Sequence, residues 1–354
     1  MAAPEPAFRE QVLLAPYTTF GIGGPARWFA EVNSEGDLLT AVTFARERHL
    51  PIFVLGGGSN VLIADEGFPG VVIHIAMQGI DEIPSADPAT RRFAVAAGEN
   101  WDNFVSFAVA RNLGGIECLA GIPGTVGGTP IQNVGAYGQE VATTITGVRV
   151  LDVESLQWKK LSAGQCGFSY RQSIFNTAQR NRYIVTQVYF DLKTDAQPTL
   201  RYRDLQHYFK NRLAPGLAET AAAVREIRHA KGMLLVPGEA DCRSAGSFFK
   251  NPTVPFDKLN EIAALLSFDV ETIPKFPAGS DTVKLPAAWL LEQAGFHRGY
   301  ALGSAALSMR HTLAITNTGN ARAADILALG NQIISKVEDR FGILLEREPL
   351  LIGS

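Results

Sequence analysis

The chain has 354 residues, enough for roughly two or three domains. Its 46% apolar and 19% charged residues match an ordinary globular protein, and a net charge of −3 leaves no basic footprint for bulk nucleic-acid binding. Three widely spaced cysteines (Cys118, Cys166 and Cys242), with no C-x-x-C and no zinc spacing, argue against a disulfide framework and suit a reducing compartment.

The N-terminal MAAPEPAFRE lacks the basic and apolar regions of a signal peptide, and no apolar run is long enough to span a bilayer. A cytoplasmic protein with no membrane partner is expected. In chain order, residues 29–32 read as a strand. Ser34 is a candidate cap for a helix whose apolar face is Leu38, Leu39, Val42 and Ala45. Residues 51–55 (PIFVL) form a buried strand followed at once by GGGSN, and strands at 61–64 and 71–75 flank a turn at Asp65, Glu66 and Gly67. A strand at 93–97 precedes a helix over 101–111 with Phe104, Phe107, Ala108 and Arg111 at helical spacing. Strands follow at 145–153, 157–161 and 183–192 and a helix at 219–231. Pro215 and Gly216 interrupt the pattern, placing a boundary in the region 215–235. Beyond it, helices are predicted at 257–266, 286–294 and 322–341, with short strands at 313–316, 342–345 and 350–352.

Between Gly121 and Gly138 the chain reads GIPGTVGGTPIQNVGAYG, with six glycines and two prolines. Glycine inside an element costs about 0.5–1 kcal/mol against alanine, and proline removes a donor. Such a segment suits backbone lying directly against a ligand, with N–H groups offered to phosphate oxygens. GGGSN after PIFVL has the same character, since a strand followed by a glycine turn can face a diphosphate. The bland reading of either is a tight loop. Val61 occupies the third glycine position of a Rossmann G-x-G-x-x-G, and no G-K-[ST] is present, so both familiar nucleotide loops fail.

Three further segments carry polar chemistry. In AGSFFKNP, Ser247 follows small residues and precedes two anchoring phenylalanines; it lacks a G-x-S-x-G elbow, and the bland reading is a structural serine. A serine hydroxyl is a weak acid, useful only for protonating a strongly basic carbanion. In SYRQS, Arg171 offers a fork for a carboxylate or phosphate, or is a surface arginine. In LEREP, Glu348 is either a general acid raised by its surroundings or part of an exposed turn. No histidine stands at metal-ligand spacing to a partner, so no metal is expected.

Together TFGIGGPA (19–26), GGGSN, GIPGTVGGTPIQNVGAYG, SYRQSIF, AGSFFKNP and FGILLEREPLLIG resemble the UDP-N-acetylenolpyruvoylglucosamine reductase family, in that family's order and over nearly the whole chain. The resemblance implies an α+β protein with a vanillyl-alcohol-oxidase (PCMH-type) two-part FAD-binding fold and a separate α+β substrate-binding domain. Its implied division is 1–75 and 76–218 for the two flavin subdomains and 219–354 for the substrate domain, with 342–354 returning to the active site. The implied reaction uses NADPH and FAD to reduce the enolpyruvyl ether of UDP-N-acetylglucosamine to UDP-N-acetylmuramate for peptidoglycan synthesis. Flavin N5 delivers hydride to C3, and Ser247 gives its proton to C2. Arg171 and a protonated Glu348 stabilise the charge that spreads into the carboxylate.

By motif position, Gly56, Gly57, Gly58, Ser59 and Asn60 line the FAD, as do Gly121, Ile122, Pro123, Gly124, Thr125, Val126, Gly127, Gly128 and Thr129. Tyr202, in LRYRDL, matches the tyrosine of one subtype of the family. Lys231, Asn251, Phe276 and His311 fall at substrate-binding positions, with a longer segment than usual between Lys231 and Ser247. Phe276 replaces a lid tyrosine, so closure is expected to persist with weaker diphosphate contact. No His or Cys stands at the glycine walls for covalent attachment, so dissociable FAD is expected, on a monomer whose partner is a small nucleotide sugar. The alternatives are an FAD-dependent sugar or alcohol oxidase of the same fold, or a non-catalytic flavin or nucleotide-sugar binding protein. Oxygen consumption with sugars and without NADPH oxidation marks the first; FAD binding without NADPH-dependent turnover marks the second.

Overall fold

A computed structural model describes residues 6–210, 212 and 214–353, so the first five residues of the N-terminal stretch read for a signal lie outside it. The chain divides into two compact units. The first holds residues 1–12, 25–58 and 68–230; the second holds 13–24, 59–67 and 231–354. The division falls after Ala230, within the 215–235 region that the sequence pattern marks, whereas the resemblance implied a start at 219; two N-terminal stretches belong with the C-terminal unit.

In the first unit a sheet runs in the order Phe8–Leu13, Pro25–Val32, Phe68–Ile75, Ile52–Leu55. The last three pair in parallel, joined through the helix Glu35–Glu47. Ser34 caps that helix by accepting from the Asp37 N–H at 3.1 Å, and Leu38, Ala41, Val42 and Ala45 bury one face. Ala41, rather than the half-buried Leu39, completes the stripe. A second, antiparallel sheet is centred on Tyr183–Thr194, which pairs with Ile145–Asp152 on one side and Thr90–Ala96 on the other. Its helix Trp101–Ala110 is capped by Asn100 and buries Trp101, Phe104, Val105 and Ala108. These faces share one apolar core. The strands Phe8–Leu13 and Ile80–Ile83 escaped the sequence reading, because neither has a buried residue or an apolar alternation.

The second unit has its own core around the helices Phe256–Leu266, Ala287–Gln293 and Ala323–Phe341. One sheet runs Ser244–Ser247, Ala314–Asn317, Ala305–Leu307, Ala301–Leu302. Leu350–Ile352 pairs in parallel with Val61–Ile63, which explains why the 59–67 stretch belongs here. Asp65 accepts from the Ala323 and Ala324 N–H groups at 2.8 and 3.2 Å, so a distant carboxylate caps the longest helix. Thr19 donates to the Ser244 carbonyl at 2.6 Å, and Asn317 donates to that of Phe20 at 2.9 Å. These bonds give TFGIGGPA its role in the unit.

The predicted strand at 342–345 does not form. Ile343 and Leu345 are buried and Leu344 is 63% exposed, so the alternation is real. Pairing begins only beyond the segment, at the Arg347–Phe249 bridge, because a strand needs a partner's backbone as well as a half-buried surface.

Candidate functional site

Two glycine walls meet in the first unit. A Cβ on Gly57 would stand 2.6 Å from the Gly124 Cα, and one on Gly56 would stand 2.7 Å from Thr125 Oγ1. Glycine is required here for backbone to lie against backbone. Gly128, by contrast, is exposed and faces open space.

The N–H groups divide into two sets. Those of Gly121, Val126, Gly127, Gly128 and Thr129 already donate within the protein, to Asp102, Glu99, Ala97, Thr125 and Val126 respectively. They are not offered to an anion, contrary to the expectation for the whole segment: a short 3-10 turn over Val126–Gly128 takes up those of Gly128 and Thr129, and the neighbouring chain at 97–102 takes up the other three. Among the hydrogen bonds of the described residues, the N–H groups of Gly57, Gly124 and Thr125 donate to no acceptor. A side-chain-poor cradle with those donors fits a flavin dinucleotide. Ile122, Pro123, Gly124 and Thr125 are half-buried; Ser59 and Asn60, also half-buried, belong to the second unit.

A layer of charged side chains braces the wall. Asp102 accepts from the Gly121 N–H at 2.7 Å and from Arg225 at 2.7 Å. Buried Arg228 donates through Nε to the Gly121 carbonyl at 3.0 Å and hydrogen-bonds Tyr137; burial pushes its pKa down. Both backbone polar groups of Gly121 are thereby held by ionic partners. Sequence reading missed Asp102, Arg225 and Arg228, since Arg225 and Arg228 lie more than a hundred residues from their partners and carry no motif.

Arg171 sits in a tight turn closed by a Ser169–Gln172 bridge, with φ of +56°. That left-handed backbone is costly for a side-chain-bearing residue and marks a constrained position. Its Nη1 donates to the Gly135 carbonyl at 2.9 Å, and its own carbonyl accepts from Asn176 at 3.0 Å. Tyr202 is 37% exposed and packs edge-on against Tyr137, with centroids 5.3 Å apart.

In the second unit the irregular stretch that carries Glu348 runs beside the residues that follow the Ser244–Ser247 strand. Phe248 donates to the Leu313 carbonyl at 2.8 Å and accepts from the Glu348 N–H at 2.9 Å. Ser247 pairs with Ala314 after a register shift between Ser244 and Ser247, and Gly246 takes a φ of +71° there. Phe248 and Phe249 are fully buried in T-shaped contact at 5.2 Å, anchoring the strand as their sequence suggested. Phe248 lies so close to the helix Ala323–Phe341 that a Cβ on Gly330 would be 2.9 Å from its ring. Asn60 donates to the Glu348 carbonyl at 3.3 Å, and Leu350 donates to that of Asn60 at 2.9 Å. Both Ser247 and Glu348 are half-buried.

The proposed substrate residues are unequal. His311 accepts from the Leu313 N–H through Nδ1 at 3.0 Å, so its neutral ring carries the proton on Nε2. Burial, then the charges of Lys231 and Arg298, hold its pKa at about 4. Lys231 is thereby placed near His311, in the same unit. The long segment after Lys231 is stapled down by Arg310, which pairs with Asp241 at 2.6 Å and with Glu239. Asn251 Oδ1 accepts from the Ala287 N–H at 2.9 Å and so tethers the start of a helix, which leaves both amide hydrogens to donate to a ligand. Phe276 is 46% exposed on a short strand paired with Thr282–Lys284. Among the described residues no cluster of His, Cys, Asp and Glu side chains could hold a metal ion.

Comparison with known proteins agrees with this geometry. Residues 26–156 match a family model described as an FAD binding domain. Residues 237–352 match one described as UDP-N-acetylenolpyruvoylglucosamine reductase, C-terminal domain. The chain is 43% identical to the UDP-N-acetylenolpyruvoylglucosamine reductase of Thermobifida fusca, covering 98% of both proteins. It is 44% identical to that of Nocardia farcinica, covering 98% of this chain and 90% of the relative. The crystal structure of the Thermus caldophilus UDP-N-acetylenolpyruvylglucosamine reductase superposes with a TM-score of 0.65 at 28% identity, over 98% of this chain and all of that one. The two-part flavin fold with a separate C-terminal domain is confirmed, and this chain belongs to the UDP-N-acetylenolpyruvoylglucosamine reductase family.

Proposed function

We propose that the protein is the flavin-dependent reductase converting UDP-N-acetyl-3-O-(1-carboxyvinyl)glucosamine to UDP-N-acetylmuramate with NADPH, in peptidoglycan precursor synthesis. The observation that carries the reading is the Glu348 N–H bond to the Phe248 carbonyl, which ties the residue bearing a carboxyl group to the neighbour of Ser247. A sugar oxidase or a passive flavin module has no need of that pair.

Gly56, Gly57, Gly58, Ser59 and Asn60, with 121–129, would hold the FAD, and its site needs no covalent link. The bound flavin would supply the hydride chemistry at C3 of the enolpyruvyl group, with NADPH as the source of reducing equivalents. Arg171 supplies a permanent positive charge to the substrate carboxylate, where the electron pair displaced from the double bond accumulates. Glu348, in its protonated form, donates a hydrogen bond to the same developing charge. Ser247 transfers the proton from Oγ to C2, completing the saturated lactyl ether. A hydroxyl as weakly acidic as serine suffices, because the accepting carbon is strongly basic. Neutral His311 presents its Nε2–H as a donor, and Lys231 offers charge to the nucleotide. Tyr202, Asn251 and Phe276 complete the contacts.

The reading extends to a monomer working in the cytoplasm. Among the described residues no helix is long and apolar enough to cross a membrane. Ser247→Ala tests the mechanism. NADPH should still bleach the flavin band anaerobically, while formation of the saturated sugar falls by a factor on the order of 100–10,000. Undiminished turnover would remove Ser247 from the reaction.

A further inference from the structure

Glu117 is an anomaly in the first unit. It is 1% exposed, and among the described residues it forms no ion pair. A buried carboxylate is costly unless fully hydrogen-bonded. Three donors converge on it. Oε1 accepts from Gln139 Nε2 at 2.6 Å and from the Thr199 N–H at 3.1 Å; Oε2 accepts from the Gly115 N–H at 2.7 Å. The neighbouring residue closes the ring. The Cys118 N–H donates to Gln139 Oε1 at 2.7 Å, and Cys118 Sγ donates to the Thr199 carbonyl at 3.2 Å. Burial, then the Glu117 charge, push the thiol pKa up, so the sulfur stays protonated and remains a donor.

The two segments grasped this way lead to Tyr202 from opposite sides. Residues 195–201 lie outside helix and strand, so the Thr199 peptide is fixed mainly by Glu117 and Cys118, three residues before Tyr202. Gln139 belongs to the Gly135–Glu140 hairpin, whose tip carries Tyr137, the ring against which Tyr202 packs. Nothing about burial alone requires a carboxylate here. A neutral side chain would leave one or more of these donors unanswered.

We infer that Glu117 is a positioning residue for substrate binding, a carboxylate clasp that holds Tyr202 and its partner Tyr137 in place. The inference rests on the reading of Tyr202 as a substrate contact. It differs from a stability role in its consequence: the clasp acts on substrate affinity through the Tyr202 ring, and none of the donors that Glu117 holds belongs to residues 56–60 or 121–129.

The test is a double-mutant cycle on the FAD-loaded protein. Substrate dissociation constants are read from the perturbation of the oxidised flavin spectrum, without NADPH. Glu117→Gln should weaken substrate at least about tenfold, the scale of one charge-assisted hydrogen bond, with FAD affinity unchanged. Tyr202→Ala should weaken it in the wild-type background and add little in the Glu117→Gln background. The exchange Glu117→Gln with Gln139→Glu restores a donor–acceptor pair between the two side chains and should recover part of the affinity; it carries the same cycle if the single variant does not fold. Additive losses from Glu117→Gln and Tyr202→Ala would overturn the clasp while sparing Tyr202. A silent Tyr202→Ala in the wild-type background would overturn the Tyr202 reading and the clasp together.

Discussion

At the scale of single residues, charge state is set by surroundings that are absent from the sequence. His311 shows this most directly. Its pKa falls from 6.5 to about 4 because burial and two cations oppose the imidazolium. The unfolded chain therefore takes up the proton first as pH drops. The stabilisation from neutral His311 is complete above pH 6.5 and drains away as pH falls through about 4. At 1.36 kcal/mol per unit the loss reaches about 3 kcal/mol. Denaturant midpoints measured between pH 4 and 7 should slope less in His311→Gln than in the wild type; equal slopes would show that His311 is protonated at no cost. Ser247, Arg171 and Glu348 were legible as chemical types because their motifs recur together in one order. The bracing groups Asp102, Arg228 and Glu117 were not, since a carboxylate or guanidinium in an unremarkable stretch reads as a surface charge until its distant partner is known.

Among the elements, helices and central strands followed their apolar periods closely, because burial on one face is what the pattern encodes. The failures came where pairing partners decide. The segment 342–345 alternates like a strand but meets no ladder, and Phe8–Leu13 forms a strand without alternating. The glycine walls were visible as composition, yet the reason for each glycine was not. Gly57 is demanded by the protein itself, at 2.6 Å from Gly124 through its absent Cβ. Gly57→Ala should therefore part the walls, costing roughly 1–3 kcal/mol of stability and releasing FAD, seen as a rise in flavin fluorescence on dilution. Gly128→Ala, which faces open space, should leave the apoprotein's stability within about 0.5 kcal/mol of wild type. If the two variants behave alike in the apoprotein, the walls do not touch as described.

For the molecule as a whole, the sequence foretold two kinds of domain but not their composition. A pattern read along the chain finds a boundary near 215–235; it cannot find that 13–24 and 59–67 belong with the C-terminal unit. That assignment depends on the Val61–Ile63 pairing and on the Asp65 cap, both of which are long-range. FAD binding should raise the unfolding temperature by mass action, about 2.7 kcal/mol at a free concentration of one hundred times its dissociation constant. Calorimetry of stripped and reconstituted protein measures this. An unchanged midpoint would mean that the cradle forms no native-state-specific site.

The pairing of Val61–Ile63 with Leu350–Ile352 also sets a timetable for the nascent chain. Asn60 and Glu348 are separated by 288 positions. At ribosomal speeds of about 5–20 residues per second, the earlier strand waits roughly 15–60 s for its mate. Throughout that interval a short apolar edge stands open to wrong neighbours. The carboxyl group assigned to the chemistry arrives on the same late segment, so a half-made protein holds its flavin loops long before it could turn over.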